Sequence, residues 1–132
     1  MVRAVTVATR DSTRPVSIDG AEIGGVIIVG SASIWPLIEA KRMQLVSLEL
    51  RGGFFHPRHS HPRHEAVGHV ISGQLEMEIG GIVYLLGTGD SWYHPVGVEH
   101  STRALEDTLA VEIHAPRRAD YSRLFEAGRK AR

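Results

Sequence analysis

Cysteine is absent from this chain. That excludes a disulfide framework, a thiolate metal site and a cysteine nucleophile together, and it is compatible with a cytosolic home. An excess of either charge is also missing: 15 Lys plus Arg face 15 Asp plus Glu, a formal net charge of zero. Such a balance gives no electrostatic pull toward nucleic acid or an anionic membrane, so neither is expected as a partner. The longest apolar run, Gly24-Gly25-Val26-Ile27-Ile28-Val29-Gly30, falls far short of a bilayer span. Residues 1–17 hold no sustained apolar core of the kind a secretory leader needs. A soluble, cytoplasmic protein is the expectation. Its 132 residues suit one domain, 1–132, large enough to bury a core without metal or disulfide staples.

What the chain does contain is glycine-punctuated alternation. Residues 1–20 read as a loose arm with room for an edge strand. Val26 to Val29, β-branched and bounded by glycines, reads as a buried strand, and Trp35 to Lys41 as a helical turn or a loop. Val46, Leu48 and Leu50 alternate with polar residues, as do Leu75, Met77 and Ile79, and each set predicts a strand with one buried face. Ala66 to Ile71 and Ile82 to Leu86 are further strands. Gly80-Gly81 makes a two-residue hairpin turn, because paired glycines tolerate the positive φ it needs. The last clear strand holds Leu109, Val111 and Ile113, alternating with Ala110, Glu112 and His114, and Pro116 stops it. In the tail, 117–132, Tyr121, Leu124 and Phe125 form one helical face before a basic end. Many short strands with little helix predict an all-β sandwich or barrel.

Histidine is concentrated. Five of the eight, His56, His59, His61, His64 and His69, lie between Gly53 and Gly73. Residues i and i+2 of a strand share a face, so His59 and His61 can present two imidazoles to one point. Neutral imidazole suits zinc, copper, iron and nickel, and a carboxylate such as Glu65 adds an oxygen ligand. About thirty residues on, Gly89, Pro95, Gly97 and His100 form a second spaced set.

Together the two stretches resemble the paired motifs of the cupin superfamily, G-x5-H-x-H-x3,4-E-x6-G and G-x5-P-x-G-x2-H-x3-N. The first is matched at Gly53, His59, His61 and Glu65, with seven residues rather than six before Gly73; the second has Ala104 at its Asn position. The resemblance implies a jelly-roll β-barrel with a metal inside it, a barrel core over residues 45–116 and a homodimer, its N-terminal strands pairing across subunits. It also implies that His59, His61, Glu65 and His100 hold one divalent ion, zinc or iron ahead of manganese or nickel. The fourth ligand stays open. Counting back from Gly73, the carboxylate position falls on Ala66, and strand parity then turns Glu65, Val67 and His69 outward. His64 or His114 is the alternative. His56 and His69 read as surface or interface residues, and His94 as a packing residue.

The segment from Arg103 to Tyr121 resembles the ending of small cupins that open unsaturated uronates in pectin breakdown. Their acidic, Phe and Arg site residues fall on Glu112, His114 and Arg118, with histidine replacing phenylalanine at 114. That departure opens a four-histidine site similar to that of cupin-type cyclases of aromatic polyketides. An exposed polar face is the plain alternative for Glu112 and His114. The functions implied are, first, a metal-dependent enzyme doing non-redox cyclisation, isomerisation or ring opening on an oxygenated small molecule, such as a sugar acid or polyketide. Glu112 would then be general base or acid, and Arg118 a clamp for a carboxylate or enolate oxygen. An iron-dependent dioxygenase and a non-catalytic binding module are the others.

Overall fold

The computed structural model describes residues 5–129, so the start of the arm and the end of the basic tail lie outside the described residues. The elements run β1 (Val16–Ser17), β2 (Glu22–Ile23), β3 (Val26–Ile27), β4 (Ala32–Glu39), β5 (Gln44–Leu50), β6 (Phe55–His59) and β7 (Glu65–Ser72). Then follow β8 (Gln74–Ile79), β9 (Ile82–Gly87), β10 (Ser91–His94), β11 (His100–Ala104), β12 (Thr108–Ala115) and α1 (Ala119–Ala127). A six-stranded sheet, β1-β4-β5-β12-β7-β10, faces a four-stranded sheet, β6-β11-β8-β9, and β2 and β3 form a separate hairpin. Each of the two large sheets keeps free edges. The architecture is therefore a jelly-roll sandwich, not the closed barrel expected. Among the described residues no helix is long and apolar enough to cross a membrane.

Alternation decides which side chains meet between the sheets. β7 buries Ala66, Gly68 and Val70 and exposes Glu65, Val67 and His69. β10 buries Trp92 and His94; β12 buries Thr108, Ala110, Glu112 and His114. Ile34, Val46, Val70, Leu75, Met77 and Ala110, each at most 1% exposed, make the apolar centre. Each of the larger of these side chains contributes roughly 1.5–3 kcal/mol by leaving water. Gly80 and Gly81 sit at φ +59° and +85° between β8 and β9, as the hairpin turn requires.

Two expectations need correction. Residues 35–39 are neither helical turn nor loop, since β4 runs through Pro36 to Glu39, and only Ala40 and Lys41 lie in the turn that follows. Beside Pro36 the two-residue β1 has already ended, and the β4–β5 register shifts between Pro36 and Ile38. A missing N–H is harmless on such a free edge. Residues 26–29 do not form a buried strand either: only Ile28 is buried, with Ile27 and Val29 more than half exposed.

The close approach of β7 to β10 depends on Gly68. It is the register partner of Trp92, and a Cβ there would lie 2.0 Å from the indole. Gly68→Ala is expected to lower stability by about 1–3 kcal/mol by overpacking. Urea unfolding checks this; an unchanged midpoint would mean that the indole has room to shift.

Helix α1 is fastened by one fully buried amide. Gln44 Nε2, with two hydrogens to give, has Glu39 Oε2 at 2.8 Å and the Arg118 carbonyl and Ser122 Oγ at 3.1 Å within reach, while Oε1 accepts the Arg118 N–H at 2.8 Å. Gln44→Leu keeps the volume but strands the Arg118 N–H. It should cost about 1–3 kcal/mol, and a thermal unfolding shift of less than a degree would count against this reading.

Candidate metal centre

Three imidazoles converge because two strand pairings and one loop contact place them there. His59 ends β6 and His100 begins β11, and the two are register partners. His61 follows two residues after His59, and its carbonyl accepts the Gly97 N–H at 2.9 Å, which ties the two histidine-bearing stretches together. One nitrogen from each of His59, His61 and His100 lies within 4.8 Å of the others, and all three residues are buried.

The tautomers follow from the partners. His59 Nδ1 donates to the Pro57 carbonyl at 2.7 Å, and His100 Nδ1 to the Val98 carbonyl at 3.1 Å. A carbonyl only accepts, so Nδ1 carries the proton and Nε2 keeps its lone pair. Burial lowers the pKa of His59 to about 3 and of His61 to about 2, and holds His100 below the ordinary imidazole value. Neutral imidazole is the ligating form. Residue type, tautomer, charge and spacing all fit a divalent transition ion.

Glu112 lines the same cavity, which has a volume of about 60 Å³ and also shows Trp92, Arg118 and Tyr121 to the imidazoles. Its Oε1 lies 2.6 Å from His114 Nε2, Trp92 Nε1 donates to Oε2 at 3.2 Å, and His94 Nδ1 stands 4.0 Å from Oε2. Burial alone would push this carboxyl up. His114, by charge and hydrogen bond, with His94 and Arg118, overcomes that and holds it well below the usual carboxylate range. It is an ionised carboxylate inside the sandwich.

The Cupin domain family matches residues 47–115, more than half of the chain and both histidine-bearing stretches. The chain belongs to the cupin family. Over 80 residues this cupin is 26% identical to the pectin degradation protein KdgF of Dickeya dadantii (strain 3937), a match spanning 60% of this chain and 73% of that protein. The structure of KdgF from Halomonas sp. superposes with a TM-score of 0.66 at 28% identity, covering 68% of this cupin and 83% of that chain. An RmlC-like cupin from Shewanella frigidimarina NCIMB 400 covers 92% of this chain and 99% of its own, with a TM-score of 0.77 at 21% identity, a likeness of fold.

Among the candidate ligands, the cupin does not bring Glu65 to the imidazoles. Glu65 is exposed at the start of β7, on the outer face with Val67 and His69. The irregularity in the β7–β12 ladder lies at the far end of β7, near Ser72, so nothing turns Glu65 inward. The alternatives stay outside the trio as well. His64 stacks on His61 at 4.3 Å between ring centres, and its Nε2 is buried without a hydrogen bond. His114 commits Nε2 to Glu112 and sets its ring edge-on to Tyr121 at 4.8 Å. A four-histidine cluster is therefore not assembled. Glu112 and His114 are buried rather than lying on an exposed polar face, since Leu109 and Ile113 turn outward instead.

Each imidazole of the trio carries a second one against it. His56 stacks on His59 at 3.7 Å, His64 on His61, and His94 on His100 at 3.6 Å and 9°. His56 is thus not a surface residue; it lines the cavity and donates through Nε2 to the Ile23 carbonyl at 2.8 Å. Arg118 needs a correction too. Its Nε and Nη2 both bond Asp120, at 3.0 and 2.8 Å, and the guanidinium covers the Tyr121 ring at 3.9 Å. One edge of the expected fork is occupied, so a ligand would meet the Nη1 side.

Trp92, Tyr121 and Asp120 were not readable as site residues. Trp92 shares a strand face with His94 two residues on, a parity signal that existed. Tyr121 and Asp120 reach the site only through the docking of α1, which no local pattern reveals. The β2–β3 hairpin closes over the imidazoles at Gly24 (φ +68°), where a Cβ would stand 2.5 Å from His59 Cδ2.

Proposed function

We propose that this chain is a metal-dependent cupin enzyme that performs non-redox chemistry, ring opening or isomerisation, on an oxygenated small molecule. Unsaturated uronates are the first substrate class to test. The observation that carries this reading is the ionised Glu112 in the same cavity as three neutral, converging imidazoles. The likeness to pectin degradation protein KdgF supports the substrate class. His59, His61 and His100 would hold a divalent ion, zinc or iron first, which when bound supplies Lewis-acid polarisation of a ligand oxygen.

The rest of the chemistry belongs to the chain. Glu112 accepts a proton from the ligand's carbon or hydroxyl and returns it elsewhere on the ligand. A carboxylate has about four lone-pair sites, so the bonds from His114 and Trp92 leave it room to act. The His114 imidazole on Oε1 fixes the carboxylate plane and keeps it ionised between turnovers. Arg118 offers its Nη1 side to a carboxylate or enolate oxygen, and Asp120 and Tyr121 hold the guanidinium in place. Ile23 and Ile28 in the cover, with Ile34 and Leu75 below, keep water from the reacting atoms.

The test is turnover of an unsaturated uronate under anaerobic conditions, followed by loss of its C=C absorbance. Product should form with metal bound and stop after chelation. Glu112→Gln should lower kcat by about 10²–10⁴-fold with metal content unchanged. Product that forms only with oxygen uptake would replace this reading with an iron-dependent dioxygenase. Tight binding without product, untouched by Glu112→Gln, would make the protein a binding module.

A further inference from the structure

The three imidazoles of the centre are not held alike. A histidine ring turns about a broad, two-fold χ2, so its plane has to be fixed by a neighbour. His59 and His100 each fasten Nδ1 to a carbonyl, whereas neither ring nitrogen of His61 has a hydrogen-bond partner among the described residues. What His61 has instead is His64. The two rings lie 4.3 Å apart between centres and 28° from parallel. Pro62 and Arg63 make a bend between them, which lays the later ring on the earlier one. The fixed φ of Pro62 favours that bend. His64 has no competing use for its ring: Nε2 is buried without a hydrogen bond and is not among the nitrogens that converge. A buried nitrogen left unpaired costs free energy, so the gain at this position lies in the ring face.

We propose that His64 is a positioning residue for the ion, acting through His61: its ring face fixes the plane in which His61 presents a lone pair. The inference rests on the reading of the trio as a metal centre. Two effects point the same way. Restricting the His61 ring before the ion arrives removes an ordering cost from binding. A ring bound to a divalent ion also takes up positive charge, which a neighbouring π face attracts. The stacks of His56 on His59 and His94 on His100 repeat the arrangement at 3.7 and 3.6 Å, but those two ligands have a carbonyl as well. Loss of a stack should therefore be felt most at His61.

The test is the zinc affinity of the full chain, measured by competition with a chromophoric chelator. His64→Ala should weaken it by about 10–100-fold, the range for a residue that orients a ligand. His64→Phe restores a ring face with no nitrogen and should recover most of that loss. His64→Leu fills the space without a π face and should behave as alanine does; it takes over if His64→Ala does not fold. The visible absorption of Co²⁺-loaded protein, which reports ligand geometry, should shift in His64→Ala and return toward wild type in His64→Phe. Zinc held as tightly by His64→Ala or His64→Leu as by wild type would overturn the proposal. So would equal losses in the alanine and phenylalanine variants, because a nitrogen of His64 would then be the working part. A wild-type chain that binds no zinc or cobalt would overturn it differently, by removing the centre itself and the proposed function with it.

Discussion

Replacing His59 and His100 together by alanine is expected to take purified protein from about one bound divalent ion per chain to none, a stoichiometry set by a single three-imidazole centre. The prediction rests on convergence. The two residues are register partners at the meeting of β6 and β11 and leave only His61 of the trio. Neither His64 nor His114 can substitute without rebuilding. His64 lies packed on His61, and His114 is bonded to Glu112. Elemental analysis of untreated protein, beside sedimentation to show that the variant is folded, is the measurement. Full occupancy in the double variant would mean that the ion binds elsewhere, and the proposed function would lose its foundation.

The second large effect is acid lability of the metal-free protein. Burial pushes His56, His64 and His94 down to about 4, His59 to about 3 and His61 to about 2, against an ordinary value of 6.5. Between those values and 6.5 the unfolded chain binds more protons than the folded one, so stability rises with pH across that window and falls on acidification. A shift of two units in one buried ring is worth about 3 kcal/mol, a large part of the 5–15 kcal/mol typical of a domain. Glu112 acts in the same direction at lower pH: its folded pKa is depressed, so its contribution is present above its unfolded value and is lost on acidification. Urea midpoints of metal-free protein should hold steady from pH 8 to 7 and drop steeply from pH 6 to 4. A flat profile to pH 5 would show that these rings are open to water. Bound metal should move the drop to lower pH, because protons and the ion compete for the same nitrogens.

Much of this was legible in the residues. The alternation at 46–50, 75–79 and 109–113 marks strands because period two is the imprint of a face, and all three are strands. Parity also carried the doubt about Glu65: the same count that places Ala66 inside puts Glu65 outside. What it did not show was which face of β12 is the inner one. Leu109, Val111 and Ile113 look like core, and Glu112 and His114 look like surface, yet the sheet buries the polar set around the site and leaves the apolar set outside. That inversion is explained by two tertiary facts, a polar cavity on one side and the bare sheet face on the other. β4 was hidden by Pro36, whose tolerance depends on β1 being only two residues long. The place of α1 against the cavity depends on Gln44, a residue with no local signature at all.

The hairpin over the imidazoles has a kinetic corollary. Some 60 Å³ admits a few waters, whereas pockets for ring-sized organic molecules run to about 300 Å³ or more. A sugar-sized guest is therefore expected to displace the β2–β3 hairpin as it enters, and those strands have two residues each. Few hydrogen bonds tie the hairpin to the sheets, chiefly those from Ile23 to His56 and between Val29 and Phe55. Association would then be gated, slower than diffusional encounter, and changes at Ile23 or Ile28 would retune which guests are admitted while leaving every nitrogen of the trio in place.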